Sequence, residues 1–400
     1  MRLAPFVLAA LMIGAACQAQ DYRPRACALG IPFDGTPGAL DAITDVPGVE
    51  VGETTLISGS GPLRAGHGPV RTGVTVVMPQ GRAGRGGVAA AYTAINGTGE
   101  FTGLHMVEEL GLFFGPIALT GTGNIGIVHQ ALVDWAARDT RLPPDELVMR
   151  SLPLVGETLD MPLNDVFGHP VREADVFAAL DGARGGPVAE GNVGGGTGMI
   201  AYQFKGGIGT ASRAVAVGDR HYMLGVLLQS NHGRRRNLRI AGIPVGQEIS
   251  DLMPEPGAEA PPAPLPEAQG KNSILIVIAT DAPLDAHQLQ RLSRRAALGL
   301  GRNGGTASDL SGEFALAFST TWRTPLTGPP TPPALISDLD EAALNALFDA
   351  AVQAVEEAEV NQLVASETMT GAGGTRVHGL PVARLREILR RHGRLAETQR

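Results

Sequence analysis

Apolar and polar positions alternate along much of the chain, and turns rich in Gly, Pro and Asp interrupt the alternation. A period of two residues is typical of β-strands, so we predict strands within residues 30–57, 68–79 and 215–246. The segment 115–138 predicts a strand, a glycine turn and a helix in succession.

A Pro-rich segment at residues 251–272 divides this pattern. It holds six prolines and three glutamates without periodicity, which is typical of an exposed linker with polyproline II character. The apolar run that follows it, residues 273–283, predicts a buried strand. The later pattern predicts a helix at 287–301, a half-buried strand at 311–320, a long helix at 337–365 and a short helix at 382–391. Strands and helices on both sides of the linker indicate an α+β fold.

Composition narrows the classes of function. The chain has 400 residues, of which 44% are hydrophobic, and this is enough for a large buried core. A net charge of −8 and an aromatic content of 4% argue against a nucleic-acid partner, which requires a basic surface. The only two lysines, Lys205 and Lys271, lie outside any GxxxxGK motif, which excludes a Walker-type nucleotidase.

The N-terminus predicts export. Residues 1–19 contain a positive charge at Arg2, an apolar run and then small residues, which is the pattern of a signal peptide, so we expect a periplasmic or secreted protein. The apolar run is too short for a membrane span, and a buried N-terminal helix or a lipid anchor at Cys17 is the alternative. Removal of this segment leaves Cys27 as the single cysteine, so we expect no intramolecular disulfide. The scattered histidines form no metal-binding pattern, and we predict no metal.

Two glycine-rich motifs are candidate binding sites. The GTGNIG segment at residues 121–126, from Gly121 to Gly126, matches the fingerprint GxGxxG of an NAD-type oxidoreductase. No strand ending in an acidic residue follows about 20 positions later, because Asp145 and Glu146 lie beside prolines, and tight packing of a helix on a strand is favoured. The GGGTG segment at residues 194–198 is either an anion-binding turn of backbone N–H groups or a close backbone contact.

Ser273 is a third candidate, because it begins a buried strand directly after the linker. Cleavage of the Asn272–Ser273 bond would give Ser273 both a hydroxyl and a free α-amine, whose ordinary pKa is about 8. Such an amine can act as a base near neutral pH, so the nucleophile needs no histidine partner. Ser311 and Glu313, two positions apart, point to one face of the next predicted strand, where they could orient the amine and carry its proton.

Long stretches of the chain also resemble a known family. They are DGTPGALDAITDVPGVEVGETTLI, GPVRTGVT, NGTGEFTG, GPVAEGNVGGGTGMIAYQFKGGIGTASR, QSNHGRRRNLRIAGIPVG, NSILIVIATDAPLDAHQLQRL, SGEFALAFST and ASETMTG. In this order they span nearly the whole chain after the predicted leader. The sequence therefore resembles the self-processing aminopeptidases that include L-aminopeptidase/D-esterase-amidase and the bacterial β-peptidyl aminopeptidases.

The resemblance implies a four-layer α/β/β/α sandwich, similar to that of N-terminal-nucleophile hydrolases but with different strand connectivity. It implies autocleavage into a large chain, residues 20–272, and a small chain, residues 273–400, which together form one catalytic domain and assemble as a homo-tetramer. The implied activity is hydrolysis of small peptides, amides or esters that carry a free N-terminal amine, from L-, D- or β-amino acids, without a cofactor.

The resemblance also assigns roles to individual residues. Ser273, released by cleavage after Asn272, matches the nucleophile. Ser311 and Glu313 match the Ser-x-Glu/Asp pair that positions and polarises the amine and hydroxyl of the nucleophile. Asn231, within QSNHG, matches the asparagine that donates to the oxyanion.

One position departs from the family and one substrate contact is a hypothesis. An aminopeptidase needs a carboxylate for the ammonium group of its substrate, and Glu157 is the candidate. Pro162 stands where related enzymes carry a Tyr that contributes a second hydrogen bond near the oxyanion. Loss of one oxyanion donor costs about 10²–10³ in rate unless another group, such as Asn164 or a backbone N–H, replaces it. A non-catalytic periplasmic binding protein on the same scaffold is therefore the alternative.

Overall fold

The computed structural model describes residues 25–258, 273–324 and 341–395, in which fourteen strands and nine α-helices form. The strands are β1 (Glu50–Ser58), β2 (Val70–Met78), β3 (Gly87–Gly97), β4 (Leu112–Phe114), β5 (Ile117–Gly121), β6 (Leu154–Thr158), β7 (Ile200–Ala201), β8 (Phe204–Lys205), β9 (Gly207–Val217), β10 (Arg220–Asn231), β11 (Ser273–Thr280), β12 (Gly312–Thr324), β13 (Met369–Thr370) and β14 (Arg376–Val377). The helices are α1 (Leu104–Leu110), α2 (Ile125–Ala137), α3 (Pro144–Arg150), α4 (Glu173–Asp181), α5 (Val245–Glu248), α6 (Ala286–Ser293), α7 (Ala296–Arg302), α8 (Glu341–Ala365) and α9 (Val382–Arg391).

The strands form two main sheets. The smaller sheet has the order β1-β2-β5-β6 and the larger sheet the order β4-β3-β12-β11-β10-β9. Neighbouring strands in both sheets are antiparallel except for the pairs β5/β6 and β11/β12, which are parallel. Parallel neighbours need a crossover connection, and α6 and α7 lie within the connection between β11 and β12.

The residues of β11 show how the sequence specifies the layers. Leu275 and Val277 belong to the core between the two sheets, which also contains Leu119 of β5. Ile274 and Ile276 belong to a second core between the larger sheet and the helices. Full burial of each such side chain stabilises the fold by roughly 1.5–3 kcal/mol. Both faces of β11 are apolar, as expected of a strand that lies between two cores.

Helices cover the outer face of each sheet. Leu292 of α6 and Leu347 of α8 pack in the core on the larger sheet. Leu132 of α2 and Val176 of α4 pack with Val76 of β2 on the smaller sheet. The fold is therefore the four-layer α/β/β/α sandwich that the resemblance implied.

Three predicted elements differ from the structure. Residues 30–49, at the start of the first segment predicted to form strands, contain a 3₁₀ turn at Ile43–Asp45 and no strand. The strand predicted as half-buried at residues 311–320 is buried on both faces, because β12 lies between β3 and β11 in the larger sheet and between two cores. The single helix predicted at 287–301 is two helices, α6 and α7. Leu289, Leu292, Ala296 and Leu300 of these two helices still lie in one core, so the helical spacing identified the buried face correctly.

The linker is partly ordered where the structure describes it. Glu255 and Arg376 exchange two main-chain hydrogen bonds, of 2.8 and 2.9 Å, so the start of the linker is held against β14. Residues 259–272, with Asn272 and Lys271, lie outside the described residues, as do the predicted leader at 1–19 and the start of the long helix at 337–340. Within the described ranges, no helix combines the length and the apolar character that a membrane span requires.

Candidate active site

Ser273 begins β11 at one end of the larger sheet. It pairs with Asn231, the last residue of β10, and with Gly312, the first residue of β12. The Gly312 N–H donates to Ser273 Oγ at 3.3 Å, a long hydrogen bond that restrains the hydroxyl only weakly. Ser273 is 9% exposed, whereas the next residue, Ile274, is completely buried, so the hydroxyl lies where the core ends.

The two faces of this sheet end carry different groups. Alternation along the strands places Ser273 and Asn231 on the face toward the smaller sheet. It places Ser311 and Glu313 on the face toward the helices. The main-chain nitrogen of Ser273 lies at the strand start between the two faces, so an α-amine released there would stand between its own hydroxyl and the carboxyl group of Glu313.

Ser311 and Glu313 form a close pair with a limited number of protons. Ser311 Oγ lies 2.5 Å from Glu313 Oε1 and 2.6 Å from the Ser308 carbonyl oxygen. One hydroxyl proton cannot serve both contacts, so one of the two proton arrangements has a neutral Glu313 that donates to Ser311. Burial raises the pKa of Glu313, and its Oε2 is buried without a hydrogen-bond partner among the described residues. The pair can therefore hold a proton at a pH at which an exposed glutamate has lost it.

Asn96 of β3 fixes the turn before β12, a role that the sequence did not indicate. Its Nδ2 donates to the carbonyl oxygens of Ser308 and Ser311, both at 2.7 Å. A bulge at Ile95 interrupts the pairing of β3 with β12 at this point. Bulges re-aim neighbouring side chains, and here the bulge allows Asn96 to hold the segment that carries Ser311.

The side-chain amide of Asn231 is held in one orientation. The Ile200 N–H donates to Asn231 Oδ1 at 2.8 Å, and Asn231 Nδ2 donates to the Leu159 carbonyl oxygen at 3.0 Å. An amide NH₂ group has two N–H donors, so one remains for a ligand oxygen beside Ser273. This is the arrangement that an oxyanion donor requires.

His232 lies next to Asn231 and faces the helical layer, a position that no sequence motif indicated. Its Nε2 is 3.2 Å from Oε1 of Glu359 in α8, which also accepts a hydrogen bond of 2.8 Å from the Ser230 hydroxyl. Burial lowers the pKa of His232. The carboxylates of Glu359 and Glu313 together raise it by more, so the net shift is upward. A protonated His232 in turn lowers the pKa of Glu313 and opposes the effect of burial there.

Glu157 lies near the end of β6 and is 7% exposed. Its Oε1 accepts from the Glu100 N–H at 3.0 Å, and its Oε2 accepts from the Thr122 hydroxyl. Burial raises the pKa of Glu157 by more than these two hydrogen bonds lower it, so the net shift is upward. A methyl group placed on Gly99 would lie 3.3 Å from Glu157 Oε1 and 3.5 Å from Gly312 Cα, so the carboxylate lies close to the start of β12. Each oxygen keeps a lone pair that an ammonium group could use.

The turn after β6 contains Pro162 and Asn164. Pro162 is half-buried and has no N–H to donate. Asn164 Oδ1 accepts from the Arg71 N–H at 2.8 Å, and its amide lies beside Asp160. No hydrogen bond among the described residues joins Asn164 to Ser273, so Asn164 shapes the turn in this structure.

The GxGxxG segment has no room for a dinucleotide. It has the predicted context, with β5 ending at Gly121 and α2 starting at Ile125. A methyl group on Gly121 would overlap a carboxyl oxygen of Asp160, and one on Gly123 would overlap the Val166 carbonyl oxygen. The space beside the first two glycines is therefore filled by protein, and Asp160 contributes a carboxyl group to it. Close packing therefore explains these glycines, and the NAD-type alternative has no support from the site.

The GGGTG segment does not form an anion-binding turn at its start. The N–H groups of Gly194 and Gly195 donate to the hydroxyls of Thr55 and Thr75, at 2.8 and 3.1 Å. The Gly196 N–H donates to the Val193 carbonyl oxygen at 2.9 Å. The close backbone contact is therefore the correct interpretation for these three glycines.

One group of possible metal ligands occurs among the described residues. The ligand atoms of Cys27, Asp41 and Glu357 lie within 4.8 Å of one another. Arg213 lies 2.7 Å from Glu357 and 3.7 Å from Asp41, and Arg25 lies 3.5 Å from Asp41. The two guanidinium groups already neutralise the carboxylates, so the group is better described as an ion-pair cluster than as a metal site.

A four-layer sandwich with a serine at the start of a central strand, beside a fixed amide donor and a buried acid, is the architecture of an N-terminal-nucleophile hydrolase. Comparison with known proteins gives the family. The sequence model of Peptidase family S58 matches residues 41–377. The chain belongs to this peptidase family, and the protein is a serine-type aminopeptidase.

Relatives support this assignment over nearly the whole chain. The chain is 60% identical over 387 residues to the beta-peptidyl aminopeptidase BapA of Sphingosinicella xenopeptidilytica, covering 96% of this chain and 95% of the relative. It is 45% identical to the protein of the same name in Sphingosinicella microcystinivorans, over 98% of both chains. The solved structure of the L-aminopeptidase D-Ala-esterase/amidase from Ochrobactrum anthropi, described as a variant of the Ntn hydrolase fold, matches with a TM-score of 0.82 and 42% identity, covering 94% of this chain and all of the other.

Proposed function

We propose that the protein is exported, cleaves its own chain between Asn272 and Ser273, and then uses Ser273 to remove N-terminal residues from small peptides, amides or esters. The observation that carries this proposal is the position of Ser273, at the start of a central strand and between Asn231 and Gly312. Both relatives from Sphingosinicella and the Ochrobactrum structure carry aminopeptidase names, which supports the same type of reaction here.

The proposed reaction uses groups of this chain alone. The α-amine of Ser273 takes the hydroxyl proton as Oγ attacks the substrate carbonyl, and the carbonyl oxygen becomes the oxyanion. The free N–H of Asn231 stabilises that oxyanion. The intermediate collapses when the ammonium gives its proton to the leaving amine, and an acyl-enzyme remains. Water activated by the same amine then hydrolyses the ester. The Ser311–Glu313 pair holds the amine in place and buffers its proton.

The same atoms supply a route to self-cleavage. The Ser273 hydroxyl attacks the carbonyl carbon of Asn272, the C–N bond between the two residues breaks, and an ester joins Asn272 to Ser273 Oγ. The nitrogen takes the hydroxyl proton as the C–N bond breaks, so this step already frees the α-amine. Water then hydrolyses the ester, which frees the Ser273 hydroxyl and leaves a carboxylate on Asn272. We propose that the resulting chains, residues 20–272 and 273–400, stay associated and assemble as a homo-tetramer, after removal of residues 1–19 during export.

Glu157 sets the class of substrate in this proposal. A buried carboxylate near the start of β12 binds the ammonium group of the substrate and selects substrates with a free N-terminal amine. The name of the relative with 60% identity is beta-peptidyl aminopeptidase, which supports an N-terminal β-amino acid as the preferred residue, with L- and D-residues as further candidates.

Intact-mass analysis of the purified protein tests the proposal. Wild type should give two chains, of which the smaller begins at Ser273, and it should release the amine from a β-alanyl anilide but not from its N-acetyl derivative. Ser273→Ala should remain one uncut, inactive chain. Ser319→Ala is a matched control, because Ser319 is a buried serine in the neighbouring strand whose hydroxyl donates to the Ala282 carbonyl oxygen and accepts from the Thr321 N–H.

Two results would contradict the proposal in different ways. A wild-type chain that stays uncut would remove the nucleophile. Cleavage without turnover of any substrate that has a free amine would favour the binding protein, the alternative for which Pro162 is the supporting observation.

A further inference from the structure

Lys205 is a completely buried lysine in β8. Its Nζ lies 2.8 Å from the Met199 carbonyl oxygen, 2.7 Å from the Gly206 carbonyl oxygen and 3.4 Å from the Gly196 carbonyl oxygen. No carboxylate of the described residues forms a salt bridge with it. The three partners are thus all main-chain oxygens, which is an unusual environment for a buried cation.

The number of partners matches the ammonium form. An ammonium group has three N–H donors and no acceptor, and three carbonyl oxygens surround it. A neutral amine has two N–H groups and a lone pair, so in one of the three contacts the lone pair would face a carbonyl oxygen instead of an N–H donor. Burial lowers the pKa of Lys205 well below its ordinary value. Hydrogen bonds from the charged form to three carbonyl oxygens favour that form.

The three carbonyl oxygens belong to both ends of one segment, residues 196–206. Gly196 and Met199 lie before β7, and Gly206 follows β8. The Gly206 N–H also donates to the Met199 carbonyl oxygen at 2.8 Å. The lysine therefore closes the segment across its base, with one charged group in contact with both ends.

This segment carries the N–H group that orients Asn231. Ile200 follows Met199 directly and pairs with Lys205 between β7 and β8. Its N–H donates to Asn231 Oδ1 at 2.8 Å. Because that hydrogen bond requires an oxygen, it determines which end of the side-chain amide faces Ile200, and it turns Nδ2 toward the Leu159 carbonyl oxygen and the Ser273 side.

We propose that Lys205 is a positioning residue for the oxyanion donor: its ammonium group holds the segment 196–206 closed, and the closed segment holds Asn231 in the donating orientation. This inference rests on the proposed role of Asn231. It gives a function to the GGGTG segment, whose third glycine provides one of the three carbonyl oxygens.

Lys205→Met tests the inference, because Met has a similar length and no charge. Without the ammonium group, Ile200 loses its fixed position and the Asn231 amide populates other orientations. An oxyanion contact is made in the transition state, so kcat should fall while KM changes by less than about threefold. Loss of a donor costs about 10²–10³ in rate, and partial misorientation should cost roughly tenfold or more.

A double-mutant cycle with Asn231→Ala distinguishes positioning from general stability. If Lys205 acts through Asn231, Lys205→Met should lower kcat by less than about twofold in the Asn231→Ala background. Ser366→Ala is the matched control, because the uncharged Ser366 hydroxyl lies 3.0 Å from the same Gly206 oxygen and 2.7 Å from the Gln362 carbonyl oxygen. It should lower the thermal midpoint and leave kcat within about twofold of wild type. All rates are expressed per mole of processed enzyme, determined by intact mass.

The outcomes separate this inference from the proposed function. Asn231→Ala with a wild-type kcat would overturn the proposed function. Asn231→Ala with a low kcat, together with a full additional loss from Lys205→Met, would overturn the role of Lys205 and leave the proposed function in place. If Lys205→Met does not fold, Lys205→Gln, which keeps two N–H donors, replaces it in the double-mutant cycle. The same two outcomes then support or overturn the role of Lys205.

Discussion

Ser311 Oγ lies 2.5 Å from Glu313 Oε1 on the helical side of β12, across the strand from the Ser273 hydroxyl. The two faces at this end of the strand therefore carry different groups of the proposed reaction. The side toward the smaller sheet offers the nucleophile and the amide donor, and the helical side offers a buried acid that shares a proton. The α-amine is the group that both sides can reach.

Glu313 should contribute to the acid limb of the pH profile, at a lower pH than the Ser273 α-amine, whose ordinary pKa is about 8. Because burial raises its pKa, its carboxylate form disappears at a higher pH than that of an exposed glutamate. We expect kcat/KM to fall as the pH drops through this raised pKa. Glu313→Gln should flatten the limb and lower kcat by roughly 10²–10⁴, the usual contribution of a proton-transfer group.

Exposed Glu341 offers a control for this profile, since Glu341→Gln should leave it unchanged. His232 also titrates and faces Glu313. An acid limb that survives in Glu313→Gln but disappears in His232→Gln would assign the titration to the imidazole instead.

Asn96→Ala should slow both self-cleavage and turnover. The substitution removes two hydrogen bonds of 2.7 Å to the segment that carries Ser311, so the unfolding free energy should fall by about 1–3 kcal/mol. Urea unfolding of the uncut Ser273→Ala background measures the stability, and intact mass against time measures the cleavage. Asn192→Ala is the comparison, since Asn192 makes a similar amide contact, of 2.9 Å, to the Glu367 carbonyl oxygen. Equal rates of cleavage in the two variants would argue against a role for Asn96 at the site.

Glu157→Gln should abolish the preference for free amines. The amide keeps the shape and can still accept from the Glu100 N–H, but it no longer attracts an ammonium group. We expect KM for a β-alanyl anilide to rise by roughly tenfold or more, as for loss of a buried ionic contact, with little change for the N-acetyl derivative. Glu100→Gln, an exposed carboxylate beside it, should leave the preference intact. An unchanged ratio of the two substrates in Glu157→Gln would place the ammonium site elsewhere.

Asp160 should make the protein less stable as the pH rises. Burial raises the pKa of this carboxyl from 3.8 to about 6, so the folded state binds a proton that the unfolded state has lost. Stability is therefore complete below about pH 4 and decreases up to about pH 6, by roughly 3 kcal/mol for this shift. Asp160→Asn should lack this decrease when unfolding is measured at about pH 4 and about pH 7. Asp175→Asn, a half-buried carboxyl in the first turn of α4, should retain it. A decrease of the same size in Asp160→Asn would refute the assignment.

Much of the fold could be predicted from local pattern. Residues 273–280 form β11 because every second side chain meets a different core, and the final predicted helix coincides with α9. The apolar run alone did not reveal that β12 would also be central, because its helical face carries small residues such as Ala315 and Ala317. Alanine occurs on both buried and exposed faces, so it does not identify a buried strand in a sequence. Here the alanines are buried because helices pack on them.

The site could be predicted less completely, since its contacts join distant parts of the chain. The pair Ser311 and Glu313 was visible because two residues on one strand share a face. The bond from Ile200 to Asn231 and the group formed by His232 and Glu359 depend on how β7 and α8 pack on β10, and no spacing in the sequence encodes them. Lys205 was noticed only as a rare lysine, and its three carbonyl partners became known from the fold.

The placement of β11 and β12 between β3 and β10 has a consequence for how long the processed protein would stay folded. A polypeptide that is cut before β11 would fold while its two parts are still joined. Pairing of β11 and β12 with the other strands would then be an intramolecular step. After the cut, the same step would be a meeting of two separate chains, whose rate falls with dilution. A processed molecule that unfolds would then refold slowly or not at all. The lifetime of the folded protein would depend on its unfolding rate more than on the equilibrium between folded and unfolded forms.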